Sequence, residues 1–88
     1  MKFEGEYVNG RRNGKGKEYD ISTNNIIFKG EIIFEGEYIR GERNGKGKDY
    51  YENNVLKFEG EYINGERNGK GKEYYDNSKL KFEGEIFK

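Results

Sequence analysis

The chain has 88 residues, enough for one domain at most. Charged residues make up 39% of it, yet 17 basic and 17 acidic side chains cancel, which argues against a nucleic-acid partner. No apolar run approaches the length of a membrane span. Cysteine and histidine are absent, which excludes a disulfide frame, a thiolate metal site and the commonest catalytic base.

Leu, Ile, Val and Phe together are only 18 of the 88 residues, a share close to the threshold below which highly charged chains are disordered. Here net charge is zero, and eight Tyr and six Phe supply apolar area for a thin core. The first residues, Met1-Lys2-Phe3-Glu4-Gly5-Glu6, carry no apolar stretch and do not resemble a signal peptide. With no covalent staple, a cytoplasmic location is expected, either free or peripheral to a membrane.

In chain order, the phrase Phe3-Glu4-Gly5-Glu6 opens a first unit, about residues 3–25, which also holds Asn13-Gly14-Lys15-Gly16-Lys17. An irregular insertion, 26–33, follows. Within it Phe28-Lys29-Gly30-Glu31-Ile32 is a degenerate copy of the opening phrase. Its offset from Phe34 is even, so Ile26, Phe28, Gly30, Ile32 and Phe34 would share one face. The segment reads as one long strand or as two registers merged by a bulge. Units 34–57 and 58–81 repeat both phrases at a period of 24 residues, and a half unit, 82–88, carries the fourth copy, Phe82-Glu83-Gly84-Glu85. A fixed period of this size marks supersecondary units that bury their apolar faces against one another.

In the cleanest unit, Leu56, Phe58, Gly60 and Tyr62 alternate with Lys57, Glu59, Glu61 and Ile63, a period of two that predicts a strand. Asn64 to Gly69 contains two Asn-Gly pairs and is predicted to be the turn. Lys70 to Tyr75 is the returning strand. Pairing Glu61 with Lys72 avoids opposing two acids and sets Phe58 against Tyr75 and Tyr62 against Gly71. The same register predicts Glu37–Lys48 with Phe34 against Tyr51, and Glu6–Lys17 with Phe3 against Asp20. Gly47 and Gly71 are then expected under the rings of Tyr38 and Tyr62. The fold class is all-β: a single-layer antiparallel meander of repeated hairpins.

The series Phe58-x-Gly60-x-Tyr62-x-x-Gly65-x-x-x-Gly69-x-Gly71, continued by Lys72-Glu73-Tyr74-Tyr75-Asp76-Asn77-x-x-Leu80-Lys81, resembles the MORN (membrane occupation and recognition nexus) repeat in its longer-period form. The resemblance covers nearly the whole chain. It implies a ribbon of hairpins used as a scaffold, as a protein-binding or dimerisation module, or as a lipid-contact surface. Phe stands where the family usually has its first Tyr. Asn53-Asn54 and Asn77-Ser78 stand where it often has Gly, and Asn can take the left-handed conformation such a turn requires.

The Gly-x-Gly pairs enter strands, so they lack the helix N-terminus of a phosphate cradle. The glutamates recur identically in each unit and each faces a lysine, whereas a catalytic carboxylate pair would be singular. Ser22 and Ser78 have no base, and no Asp-rich loop suits calcium. No catalytic, cofactor or metal residue is therefore assigned. The candidate partner-binding residues are the aromatic row Phe34, Tyr38, Phe58, Tyr62 and Phe82 with Leu80, together with Tyr50 and Tyr74 on the opposite face. The expected partner is a protein or peptide, or a second copy forming a homodimer through the edge strand after Leu80. The alternative is contact of Arg11, Arg12, Arg43 and Arg67 with anionic membrane lipid.

Overall fold

The computed structural model describes residues 2–20 and 31–86. They form one seven-stranded antiparallel sheet in which every strand lies beside its neighbours in sequence. The strands are β1 (Lys2–Val8), β2 (Arg11–Asp20), β3 (Glu31–Ile39), β4 (Glu42–Tyr51), β5 (Val55–Ile63), β6 (Glu66–Tyr74) and β7 (Leu80–Ile86). The meander expected from the repeat is the observed fold. The proposed strand extension through Ile26, Phe28 and Gly30 lies outside the described residues.

Each hairpin turns on two residues: Asn9-Gly10, Arg40-Gly41 and Asn64-Gly65. All six have positive φ, from 50° to 88°. That is the backbone of a type I′ turn, whose twist matches the strands it joins. The turn predicted over Asn64 to Gly69 is thus too long. Its second Asn-Gly pair lies inside β6 as a bulge, with Gly69 at φ 98°. There Glu61 stands against Asn68, Gly69 and Lys70, because Gly60 pairs with Gly71 and Tyr62 with Arg67. The Glu61 carboxylate fills the bulge and accepts the Lys70 N–H at 2.6 Å. Glu6 and Glu37 do the same for Lys15 and Lys46, at 3.0 and 3.3 Å.

The tight turn and the bulge move the register by two residues. Glu59, not Glu61, faces Lys72, and Phe58 faces Glu73 in place of Tyr75. Likewise Glu35 faces Lys48 and Phe34 faces Asp49, while Glu4 faces Lys17 and Phe3 faces Glu18. A slip of two keeps acid against base, so the charge rule that guided the prediction could not detect it.

Successive units are latched at their tips. The Asn13 and Asn44 side chains accept the backbone N–H of Arg40 and Asn64, each at 3.3 Å. Beside them Gly41 and Gly65 donate to the Arg12 and Arg43 carbonyls at 2.8 and 2.9 Å. At the other end, Glu52–Asn54 forms a 3₁₀ turn into β5, with Asn54 at φ 60°. The β6–β7 link departs from the expected pattern. Ser78 takes the left-handed φ of 72°, and Asn77 instead accepts the Lys79 N–H through its side chain.

The core occupies one face. Gly5, Gly16, Gly36, Gly47, Gly60, Gly71 and Gly84 pair in unbroken succession across all seven strands. Aromatic rings pack against this glycine ladder. A Cβ on Gly47 or Gly71 would stand 2.5 Å from the Phe34 or Phe58 ring. The ring over each glycine is thus the phenylalanine of its own hairpin, not the tyrosine. Tyr62 touches the same site on Gly47 from the next unit, at 3.0 Å. Edge-to-face contacts link Phe3–Tyr38, Phe34–Tyr38, Phe34–Tyr62 and Phe58–Tyr62, with centroids 5.1–5.7 Å apart. Each such pair contributes about 0.5–1.5 kcal/mol beyond its burial.

Candidate functional site

The four central rings are closed to solvent although no second sheet among the described residues covers them: Phe34 and Phe58 are 0% exposed, Tyr38 and Tyr62 2%. The cover is a layer of charged side chains. The guanidinium groups of Arg12, Arg43 and Arg67 stack over Phe3, Phe34 and Phe58 at 4.0–4.2 Å. They alternate with acids: Arg43 binds Glu18 at 3.0 Å and Asp49 at 3.4 Å, and Arg67 binds Asp49 at 3.2 Å and Glu73 at 3.1 Å. The Tyr38 and Tyr62 hydroxyls donate to Glu18 and Asp49 from beneath. Phe3, Phe34 and Phe58 are therefore each held between glycine below and arginine above.

This setting shifts the ionisable groups. Burial alone would raise the Glu18 carboxyl. The hydrogen bonds from Arg43 and Tyr38, with the charges of Arg43 and Arg12, outweigh it and hold Glu18 below the usual carboxylate range. Burial, and then the adjoining carboxylate, push the Tyr38 and Tyr62 hydroxyls well above their ordinary value.

The structure thus divides the residues singled out in the sequence. Phe34, Tyr38, Phe58 and Tyr62 form the core in this chain, not an open face. Leu80 and Phe82, on β7, are 52% and 42% exposed. Of the four arginines considered for lipid contact, Arg12, Arg43 and Arg67 are engaged on the rings, and Arg11 is exposed beside the first turn.

The other face carries an open trough of about 1260 Å³ that crosses all seven strands. Its floor is the backbone of the glycine ladder, and its two walls are the residues flanking each glycine. On β5 these are Glu59 and Glu61, on β6 Lys70 and Lys72, and the same alternation of acidic and basic strands continues across the sheet. Tyr50 and Tyr74 stand at its margin. Their hydroxyls donate to Glu35 at 2.6 Å and Glu59 at 3.2 Å, so they orient the wall carboxylates. Burial and the bond to Glu35 raise the Tyr50 hydroxyl above its ordinary value, which keeps it a donor.

Glu35, Glu37, Glu59 and Glu61 are pinned by hydrogen bonds, while most of the lysine ammonium groups are not. Among the described residues, Lys72 is the one trough lysine whose ammonium closes an ion pair, 3.8 Å from Glu83. Sequence reasoning used these Lys and Glu rows only to set the strand register and to argue against a catalytic carboxylate pair. The available signal was the invariant Gly-Lys-Gly-Lys phrase, which sets two lysines of each even strand on one side of the sheet. Among the described residues no group of three acids is arranged to hold a metal ion.

A single-layer sheet of identical hairpins, with its core on one face and a charged trough on the other, defines a repeat protein built around an extended surface. A family model for the MORN repeat matches residues 3–22, 34–54 and 58–79. The chain belongs to the MORN repeat family, whose repeats are non-catalytic and serve in general as protein- or membrane-interaction modules. Comparison with curated proteins and with solved structures gave no match.

Proposed function

We propose that this chain is a non-catalytic protein-interaction module whose binding face is the trough. The observation that carries the reading is the contrast in side-chain engagement. The aromatic face is covered by its own arginines and acids. In the trough, among the described residues, only Lys72 of the lysines closes an ion pair, while Glu35, Glu37, Glu59 and Glu61 are already held in place. Pre-oriented groups lose less conformational entropy on binding, which favours recognition there. The wall glutamates recur in equivalent positions, so none is set apart as a catalytic acid or base.

The test is a peptide-library selection against the full chain, followed by competition with two variants. Binders are expected to lose affinity for Lys46→Glu/Lys48→Glu and to keep it for Phe82→Lys. Binders indifferent to the trough variant but lost with Phe82→Lys would move the site to β7.

A second reading has its own observation. Val8, Ile39 and Ile63, which precede the three turns, are 54%, 50% and 49% exposed, and Arg11 and Arg40 are exposed beside them. Such a row suits the surface of an anionic membrane. Sedimentation with phosphatidylserine vesicles, abolished by high salt and by Ile39→Asp, would support it. Equal recovery with neutral vesicles would remove it.

A further inference from the structure

The trough has a sign pattern as well as a shape. Glu35 and Glu37 make β3 a negative stripe, Lys46 and Lys48 make β4 a positive one, and β5 and β6 repeat the pair. Both walls change sign in phase, because each cross-strand partner of a wall glutamate is a wall lysine. The sign therefore reverses with each strand, about every 4.8 Å. A ligand of uniform charge gains at one stripe and loses at the next. A ligand lying across the strands must alternate at the same interval.

Few protein conformations do so. In an extended chain, residues on one side recur about every 6.7 Å and gain about 6 Å on the sheet over the three intervals from β3 to β6, more than a whole strand spacing. An α-helix presents successive turns about every 5.4 Å, through residues i, i+3 or i+4, and i+7. Across the three intervals from β3 to β6 the helix gains about 2 Å on the sheet, a mismatch long Lys and Glu side chains can absorb. We propose that the trough receives an α-helix of a partner protein whose trough-facing side alternates in charge turn by turn. This inference rests on the reading of the trough as the binding face.

The test uses the full chain and three synthetic helices of about three heptads, matched in length and in helicity by circular dichroism. In the first, Glu and Lys alternate at i, i+4 and i+7 along one face. In the others that face is all Lys or all Glu. Titration followed by fluorescence anisotropy is expected to show the alternating helix binding about tenfold tighter than either uniform one. Lys46→Glu/Lys48→Glu turns β4 negative. It is expected to weaken the alternating helix and strengthen the all-Lys helix, a reversal that mere unfolding could not produce. Equal affinities for the three helices, or no binding by any of them, would overturn the inference. In either case, library-selected extended peptides that still require Lys46 and Lys48 would leave the trough as a binding face with a different occupant.

Discussion

The two faces of this sheet are built from the same strands and differ in what holds their side chains. On the aromatic face each group has several partners: Phe34 lies on Gly47, meets Tyr38 and Tyr62 edge-on, and is covered by Arg43. On the trough face the lysines are more loosely held: Lys15, Lys46 and Lys70 are engaged through their backbone N–H groups in the bulges, and of the ammonium groups only that of Lys72 closes an ion pair among the described residues. Stability therefore resides on one side of a layer one residue thick, which leaves the other side free to vary in charge. Substitutions on the two faces should differ sharply in effect.

The largest effect is expected at Gly60. A Cβ there would stand 2.6 Å from the Gly71 Cα and 2.5 Å from the Lys70 carbonyl, backbone atoms that cannot turn aside. Gly60→Val should cost about 3 kcal/mol or more, read as the shift of a urea midpoint. Gly65→Val has open space around its Cβ and only the positive φ of 86° to oppose it, so its cost should be smaller. Equal losses at both sites would deny the glycine ladder its packing role.

Next in size is Arg43→Met, which leaves the buried Glu18 with fewer partners. Breaking a fully buried pair costs about 3–5 kcal/mol. The Arg43 side chain keeps 27% exposure, so about 2–3 kcal/mol is expected for this variant. A loss no greater than that of Arg40→Met, an exposed arginine in the second turn, would show that the covering layer is dispensable.

The pH profile should follow the same face. The Glu18 carboxyl titrates lower in the folded chain than in the unfolded one, so its contribution is complete above the unfolded value near 4.3. It is lost as pH falls through the lower folded value. The Tyr38 and Tyr62 hydroxyls titrate higher when folded, so their contribution is complete below about pH 10 and declines as pH rises beyond it. Glu18→Gln should flatten the acid limb of a stability profile, and an unchanged limb would reassign it to other carboxylates.

The smallest effect belongs to the trough. Lys48→Gln should change stability by no more than about 0.5 kcal/mol in thermal melts, the range of ordinary surface substitutions. A larger loss would mean the alternating stripes help hold the sheet. Self-association is a separate matter, decided at β7. If copies pair through exposed Leu80 and Phe82, Phe82→Lys should lower the molar mass in sedimentation from dimer to monomer, whereas a monomer before substitution would remove that expectation.

The period of 24 residues, the alternation around Phe58 and the Asn-Gly pairs were enough to read a meander of hairpins. The register was not legible to within two residues. Asn64-Gly65 and Asn68-Gly69 are alike as dipeptides, and only the first is a turn. What separates them is the Glu61 carboxylate closing the second as a bulge, a contact that local pattern does not reveal. The arginine cover was missed for a related reason. Arg43 sits near a turn and reads as a solvated charge, yet its partner Glu18 lies two strands and 25 residues away. The aromatic row looked open because a single layer has no opposite sheet. Seeing it closed requires knowing that side chains of neighbouring units meet above it.

The central claim, that the aromatic face is sealed and the trough is not, is tested most directly by tyrosine nitration of the native chain resolved by peptide mass spectrometry. Tyr7 and Tyr75 are 56% and 50% exposed and should react, while Tyr38 and Tyr62, at 2%, should resist until the protein is denatured. Nitration of Tyr38 and Tyr62 at the rate of Tyr75 in the folded chain would show an open aromatic face and contradict the account.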